Sequence, residues 1–175
     1  APIGELIEEA LITLKQVHPD NQVRLVEAFT YLGVLNGEIG NYKAAKDLLN
    51  QSLMLYEKKY GREHVQYGKV LGSLGEIYLR EGDLKQAEDL LQKALAILKK
   101  NKHTDAYLVL ESLADLYLKK SKLGTDKGNT QQADALKKQA NIYLKQSLQI
   151  VHTRFPKDSP HIIRIQNKLK SLDEN

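Results

Sequence analysis

LGEIYLREGDLKQAEDLLQKALAI, residues 74–97, decides the fold. Its apolar side chains fall at Leu74, Ile77–Tyr78, Ala87, Leu90–Leu91, Ala94–Leu95 and, just beyond, Leu98. That is the i, i+3, i+4, i+7 spacing of two amphipathic helices. Between them Gly82 suits the left-handed conformation that closes a helix, and Asp83 follows as N-cap, with Gln86 placed for a capping box. The pattern stands upstream without a gap as LGVLNGEIGNYKAAKDLLNQSLML, residues 32–55, at an offset of 42. Gly33 matches Gly75, Gly40 matches Gly82, Ala45 matches Ala87, Leu49 matches Leu91 and Ser52 matches Ala94, while Asn41 takes the N-cap place of Asp83. Ile7 and Ala10 continue the register towards the N-terminus.

A third copy is split. Ala114 and Tyr117 match Gly75 and Tyr78 at an offset of 39, whereas Ala140, Leu144 and Ser147 match Ala87, Leu91 and Ala94 at an offset of 53. The difference is an insertion of 14 residues within KKSKLGTDKGNTQQADALKK, residues 119–138. The apolar seam runs into it through Leu116 and Leu123 from one side and through Ala133, Leu136 and Ala140 from the other. Both helices are therefore expected to lengthen and meet near GTDKGNT, with Thr130 as N-cap. The six Lys and two Asp of the stretch give a net +4, equal to that of the whole chain. A basic tip could dock on an acidic protein or an anionic membrane; plain solubility is the favoured reading.

Small residues at fixed places let helices approach closely while Leu and Tyr fill the remaining space. One such hairpin cannot bury its apolar face alone, but stacked copies can. Nothing alternates with period two, and the four Pro all fall near the start or between helices, so no strand is expected. The predicted fold class is all-α.

These residues resemble the tetratricopeptide repeat. Leu74, Gly75, Tyr78, Gly82, Ala87, Leu91 and Ala94 follow its core signature, and Asn36 replaces the usual Tyr in the first copy. The 42-residue period and the linker EKKYGREHVQYGKVLGSLG resemble the kinesin-light-chain type. The resemblance implies one domain over 1–175, an α-solenoid of helix-turn-helix repeats coiled as a right-handed superhelix. Its parts would be an orphan N-terminal helix over 1–17, repeats over 20–60, 64–100 and 104–153, and a capping helix over 159–172 with Ser159 as N-cap and Pro160 at the first helical position. The orphan helix is expected to be either a cap or the remnant of a longer array. The missing initiator Met is in keeping with a removed leader or a longer parent chain.

The resemblance further implies a concave groove lined by first helices. Carried over by repeat position, its side chains are Glu27, Thr30, Val34, Gly37 and Glu38, then Lys69, Gly72, Glu76, Leu79 and Arg80, then Leu108, Glu111, Asp115, Leu118 and Lys119. Five acids (Glu27, Glu38, Glu76, Glu111, Asp115) against three bases (Lys69, Arg80, Lys119) suggest an acidic groove for a basic and apolar segment of another protein. An ordinary solvated helix face with scattered ion pairs would look the same. The Asn and Lys set of chaperone-binding members is absent, since Thr30, Gly72 and Glu111 stand there. The Asn pair of kinesin light chains is replaced by Thr30–Tyr31, Gly72–Ser73 and Glu111–Ser112. Gly68, Gly72 and Gly75 share one helical face, and Gly72 reads as close packing ahead of a hollow for a partner side chain.

Composition excludes several classes. The 175 residues contain no Cys, so disulfides and thiolate chemistry are out. The net charge of +4 and a pI near 9.1 are too mild to mark a nucleic-acid binder. No apolar run reaches a membrane span, and the N-terminus shows no signal pattern, so a cytoplasmic or other reducing, soluble compartment is expected. His64 and His103 recur at an offset of 39 before first helices and, with His161, read as capping or packing groups. No catalytic constellation, metal-ligand spacing or cofactor motif is found, and no enzyme is expected. The expected function is a scaffold or adaptor binding a partner segment. The alternatives are a chaperone-like holder and a regulatory or oligomerisation domain of a larger protein, self-associating through its terminal helices.

Overall fold

The structure is a computed structural model and describes residues 22–173, with seven helical positions between Glu5 and Gln16. The rest of the N-terminal helix expected over 1–17 lies outside the described residues. Seven bounded helices follow: α1 (Gln22–Glu38), α2 (Tyr42–Tyr60), α3 (Val65–Glu81), α4 (Leu84–Lys100), α5 (Ala106–Asp126), α6 (Thr130–Arg154) and α7 (Pro160–Asp173). Among the described residues there is no strand, and no helix is long and apolar enough to cross a membrane.

The helices pack as antiparallel hairpins, α1 with α2, α3 with α4 and α5 with α6, and each second helix also packs on the next first helix. The repeated small residues form the closest approaches. A Cβ on Gly33 would lie 2.8 Å from Leu49 Cγ, and one on Gly75 would lie 2.8 Å from Leu91 Cγ, so the first two hairpins share one contact. In the third, Ala114 and Leu144 occupy those places, and both are fully buried. Ala45, Ala87 and Ala140, then Ser52, Ala94 and Ser147, are likewise sealed from solvent. Both serines of this set are satisfied: Ser52 shares a hydrogen bond with Thr30 at 2.6 Å, and Ser147 donates to the Tyr107 carbonyl at 3.0 Å.

Gly40 and Gly82 adopt φ of 83° and 100°, as their turns require. Asp83 accepts from the Gln86 amide at 3.0 Å. Asn41 does not cap its helix; its side-chain amide donates instead to Asn36 Oδ1 at 3.1 Å. Asn36, which replaces the expected Tyr, is buried and also donates to the Leu32 carbonyl at 2.9 Å. His64 caps α3, its Nδ1 accepting from the Gln66 backbone N–H at 3.2 Å, whereas the His103 Nδ1 accepts at 3.2 Å from the backbone N–H of Asp105, which is itself the N-cap residue of α5.

The insertion lengthens α5 to 21 residues and α6 to 25, against 17 for α3 and for α4. The extension is zipped by Ser121, whose buried hydroxyl donates to the Ala133 carbonyl at 2.7 Å, and by the close approach of Gly124 to Ala133. Its N-cap is Asn129, which accepts from the Gln132 amide at 3.2 Å, and not Thr130, which is the first helical residue.

Candidate functional site: the first-helix wall

The first helices α1, α3 and α5 stand side by side, and α7 continues the row. The steps are made by small residues and by polar pairs. Ile77 of α3 fills the space over Gly37 of α1, where a Cβ would lie only 2.0 Å from Ile77 Cδ1. Val109 of α5 fills the space over Gly72 of α3, at 3.1 Å from the built Cβ, so Gly72 serves close packing as favoured. Ser112 of α5 donates to Glu76 of α3 at 2.5 Å. At the last step Lys168 of α7 takes the part of Ser112, donating to Asp115 at 2.7 and 2.8 Å, while Arg164 holds Glu111 through two hydrogen bonds of 3.0 and 2.8 Å.

Along this wall runs an open cleft of about 500 Å³. Nine expected groove residues line it: Val34, Glu38, Lys69, Gly72, Glu76, Arg80, Leu108, Glu111 and Asp115. The other six do not, Gly37 being covered by Ile77. Leu79 is buried at 8% exposure in the core and offers no apolar spot. Thr30 is turned to Ser52 and the Val26 carbonyl. Lys119 reaches the Leu79 carbonyl at 3.1 Å, Leu118 is partly buried against the core, and Glu27 is exposed beyond the cleft.

The acid excess falls from the expected two charges to one. In the cleft Glu38, Glu76, Asp105, Glu111 and Asp115 face Lys69, Arg80, Arg164 and Lys168, a net charge of −1, and every one is paired. Arg80 bridges Glu38 at 2.8 Å and Glu76 at 3.2 Å, and Lys69 holds Asp105 at 2.9 Å. Partial burial alone would lower the Arg80 pKa, but Glu76 and Glu38 outweigh it and raise it. The hydrogen bonds to Glu111 raise Arg164 likewise. Glu111 is the least exposed of these carboxylates, its side chain 7% accessible, and a buried carboxylate requires such partners. Sequence reasoning read α7 as a cap and missed Arg164 and Lys168. Their i, i+4 spacing, facing the i, i+4 spacing of Glu111 and Asp115, is the signal that could have found them.

Residues 24–100 match the family described as tetratricopeptide repeat. Over that segment the chain carries tetratricopeptide repeats. Its α5–α6 hairpin repeats the geometry beyond the matched span. Among solved structures it is similar to BtubC (BKLC) from P. vanneervenii, at 15% identity and a TM-score of 0.71, covering 98% of this chain and 64% of that one. It is also similar to a variant of the nearly identical TPR-like repeats of a putative kinesin light chain from Podosopora anserina, at 19% identity and a TM-score of 0.67, covering 97% and 75%. The chain thus spans less than two thirds of the length of BtubC, and the likeness to both is one of fold. Among curated proteins none matches the sequence. Tetratricopeptide repeats are in general protein-interaction modules, scaffolds whose curved stacks present side chains and carry no chemistry of their own.

Proposed function

We propose that this chain is a non-catalytic adaptor whose cleft along α1, α3, α5 and α7 captures a peptide-like segment of another protein. The observation that carries this reading is the apolar share of the cleft lining: Val34, Gly72, Leu108 and Val109 are among the residues that line it, with Leu108 45% exposed. An apolar side chain of the partner resting on Leu108 would supply most of the affinity, since buried anchors dominate such interfaces. The surrounding charges are already paired with one another. A partner would therefore have to offer both signs and exchange ion pairs, so its register, more than its net charge, would be selected. This departs from the basic partner that the composition of the wall suggested.

The test is affinity capture from the source cells with the intact chain, with Val34→Lys/Leu108→Lys, and with Leu123→Lys, whose leucine is equally exposed but lies near the α5 tip. Loss of one partner with the cleft variant and its retention with Leu123→Lys support the reading. Retention of every partner by the cleft variant sinks it. Glu111→Lys would be a poor probe, because it breaks the contact of α5 with α7.

A further inference from the structure

The ion pairs of the cleft are not evenly matched. Lys69 and Asp105 stand one to one, 2.9 Å apart. Arg164 and Lys168 stand two to two with Glu111 and Asp115. Arg80 serves two carboxylates with no second base beside it: it holds Glu38 of α1 at 2.8 Å and Glu76 of its own helix at 3.2 Å. The one negative charge left over in the cleft therefore belongs to the group of Glu38, Arg80 and Glu76.

Both of these carboxylates still meet water, with side-chain exposures of 54% for Glu38 and 38% for Glu76. Glu76 Oε1 takes both Arg80 donors, at 3.2 Å, whereas Oε2 takes only the Ser112 hydroxyl, at 2.5 Å. A carboxylate offers about four acceptor positions, so Oε2 has room for one more donor. The surroundings favour a cation there. Burial first, and then the charges of Glu111 and Glu76, hold the Asp115 pKa above its ordinary value in spite of Lys168.

Ser112 also sets the distance from this carboxylate to the exposed leucine of the cleft. Leu108 precedes Ser112 by four residues on α5, one turn back on the same face, which is about 6 Å along the helix. On an extended segment, side chains two residues apart point the same way and stand about 6.6 Å apart. Building on the cleft reading above, we infer that the ligand is an extended segment of another protein that carries an arginine or lysine two residues from a large apolar side chain. The apolar group rests on Leu108, and the cation reaches Glu76 and supplies the second base that Glu38 and Glu76 lack. Of the two signs the segment must offer, this fixes the place of the positive one. An acidic residue at the same place would face two carboxylates, so Glu76 selects against it as well.

A phage library of random linear heptapeptides, panned on the immobilised intact chain, tests this. The enriched peptides are then titrated in solution against the wild type, Val34→Lys/Leu108→Lys and Glu76→Gln. Glutamine keeps an oxygen for Ser112 and removes only the charge. The expected peptides are lost with Val34→Lys/Leu108→Lys, carry a base two positions from a large apolar residue, and bind Glu76→Gln at least about fivefold more weakly. Peptides lost with Val34→Lys/Leu108→Lys that carry no such base, or that bind Glu76→Gln as well as the wild type, overturn this inference and leave the cleft reading standing. A base enriched three or four positions from the apolar residue, the spacing of a helix, overturns it too. Peptides indifferent to Val34→Lys/Leu108→Lys, or no enriched peptide at all, overturn the cleft reading, and this inference falls with it.

Discussion

A Cβ on Gly75 would stand 2.8 Å from Leu91 Cγ and 3.2 Å from the Leu91 backbone nitrogen, whereas one on Gly72 would meet only side-chain atoms, the nearest Val109 Cγ2 at 3.1 Å. A side chain can swing aside, but a backbone nitrogen moves only with its helix. Alanine gains about 1 kcal/mol of helix propensity at either site, while overpacking against a fixed neighbour costs about 1–3 kcal/mol. Gly75→Ala should therefore lower stability by roughly 1–2 kcal/mol in a urea melt, and Gly72→Ala should lie near zero. Equal effects would contradict the packing account. Glu88 makes a second residue-scale case. Burial pushes its pKa up, but hydrogen bonds from Lys120 and Tyr117, together with the Lys120 charge, outweigh burial and leave it below the ordinary 4.5. The native state thus holds the carboxylate ionised at a pH where the unfolded chain has begun to take up a proton. The stabilisation is complete above 4.5 and lost as pH falls below it. Glu88→Gln should flatten that acid limb in melts run from neutral pH downward. The partner phenol runs the other way: burial, then Glu88, raises the Tyr117 pKa, so its contribution is lost in strong alkali.

The hairpins were legible because i, i+3, i+4 spacing and a turn glycine specify them locally, as in Leu84–Lys100 behind Gly82. Caps were less legible. Asn129 and Thr130 are both good N-caps by type, and only the backbone of the turn after Gly128, with φ of 77°, decides between them. Asn41 looked like a cap but is drawn to the carbonyl of buried Asn36, a contact that a rule about helix ends does not contain. The contact of α7 with α5 was invisible for a similar reason. Arg164 and Lys168 carry no signal of their own until the matching carboxylates, 53 residues upstream, stand opposite. Removing one side of that contact gives a prediction for the element. Arg164→Ala leaves the Glu111 carboxylate with Lys168 at 3.7 Å as its remaining ion pair and should cost about 1–3 kcal/mol. Hydrogen exchange should speed up first in α7, with α1 and α2 unaffected, because a solenoid passes a loss only to its neighbours. Exchange that rises evenly along the chain would argue for a single cooperative unit. Pairing the change with Glu111→Gln should recover part of the loss.

At the scale of the molecule, the repeat offset carried the fold from one hairpin to the next, since Gly33–Leu49 and Gly75–Leu91 are the same contact. It carried the cleft less completely. Leu79 and Arg80 are chain neighbours, yet one is buried in the core and the other reaches Glu38, because a helix turns far enough in one residue to take a side chain from groove to interior. Repeat position alone does not resolve that rotation, and no repeat position foretold that the capping helix would supply two of the bases of the wall. A mechanical asymmetry follows from how the first helices are joined. Their lateral links are largely ionic or hydrogen-bonded and lie on the inner side: Glu38 to Arg80, Glu76 to Ser112, Asp115 to Lys168. The joints with the second helices are oily and lie deeper. Concentrated electrolyte screens the first kind and spares the second, so the coil should slacken like a spring whose inner stitching is loosened, opening its trough while every hairpin stays folded.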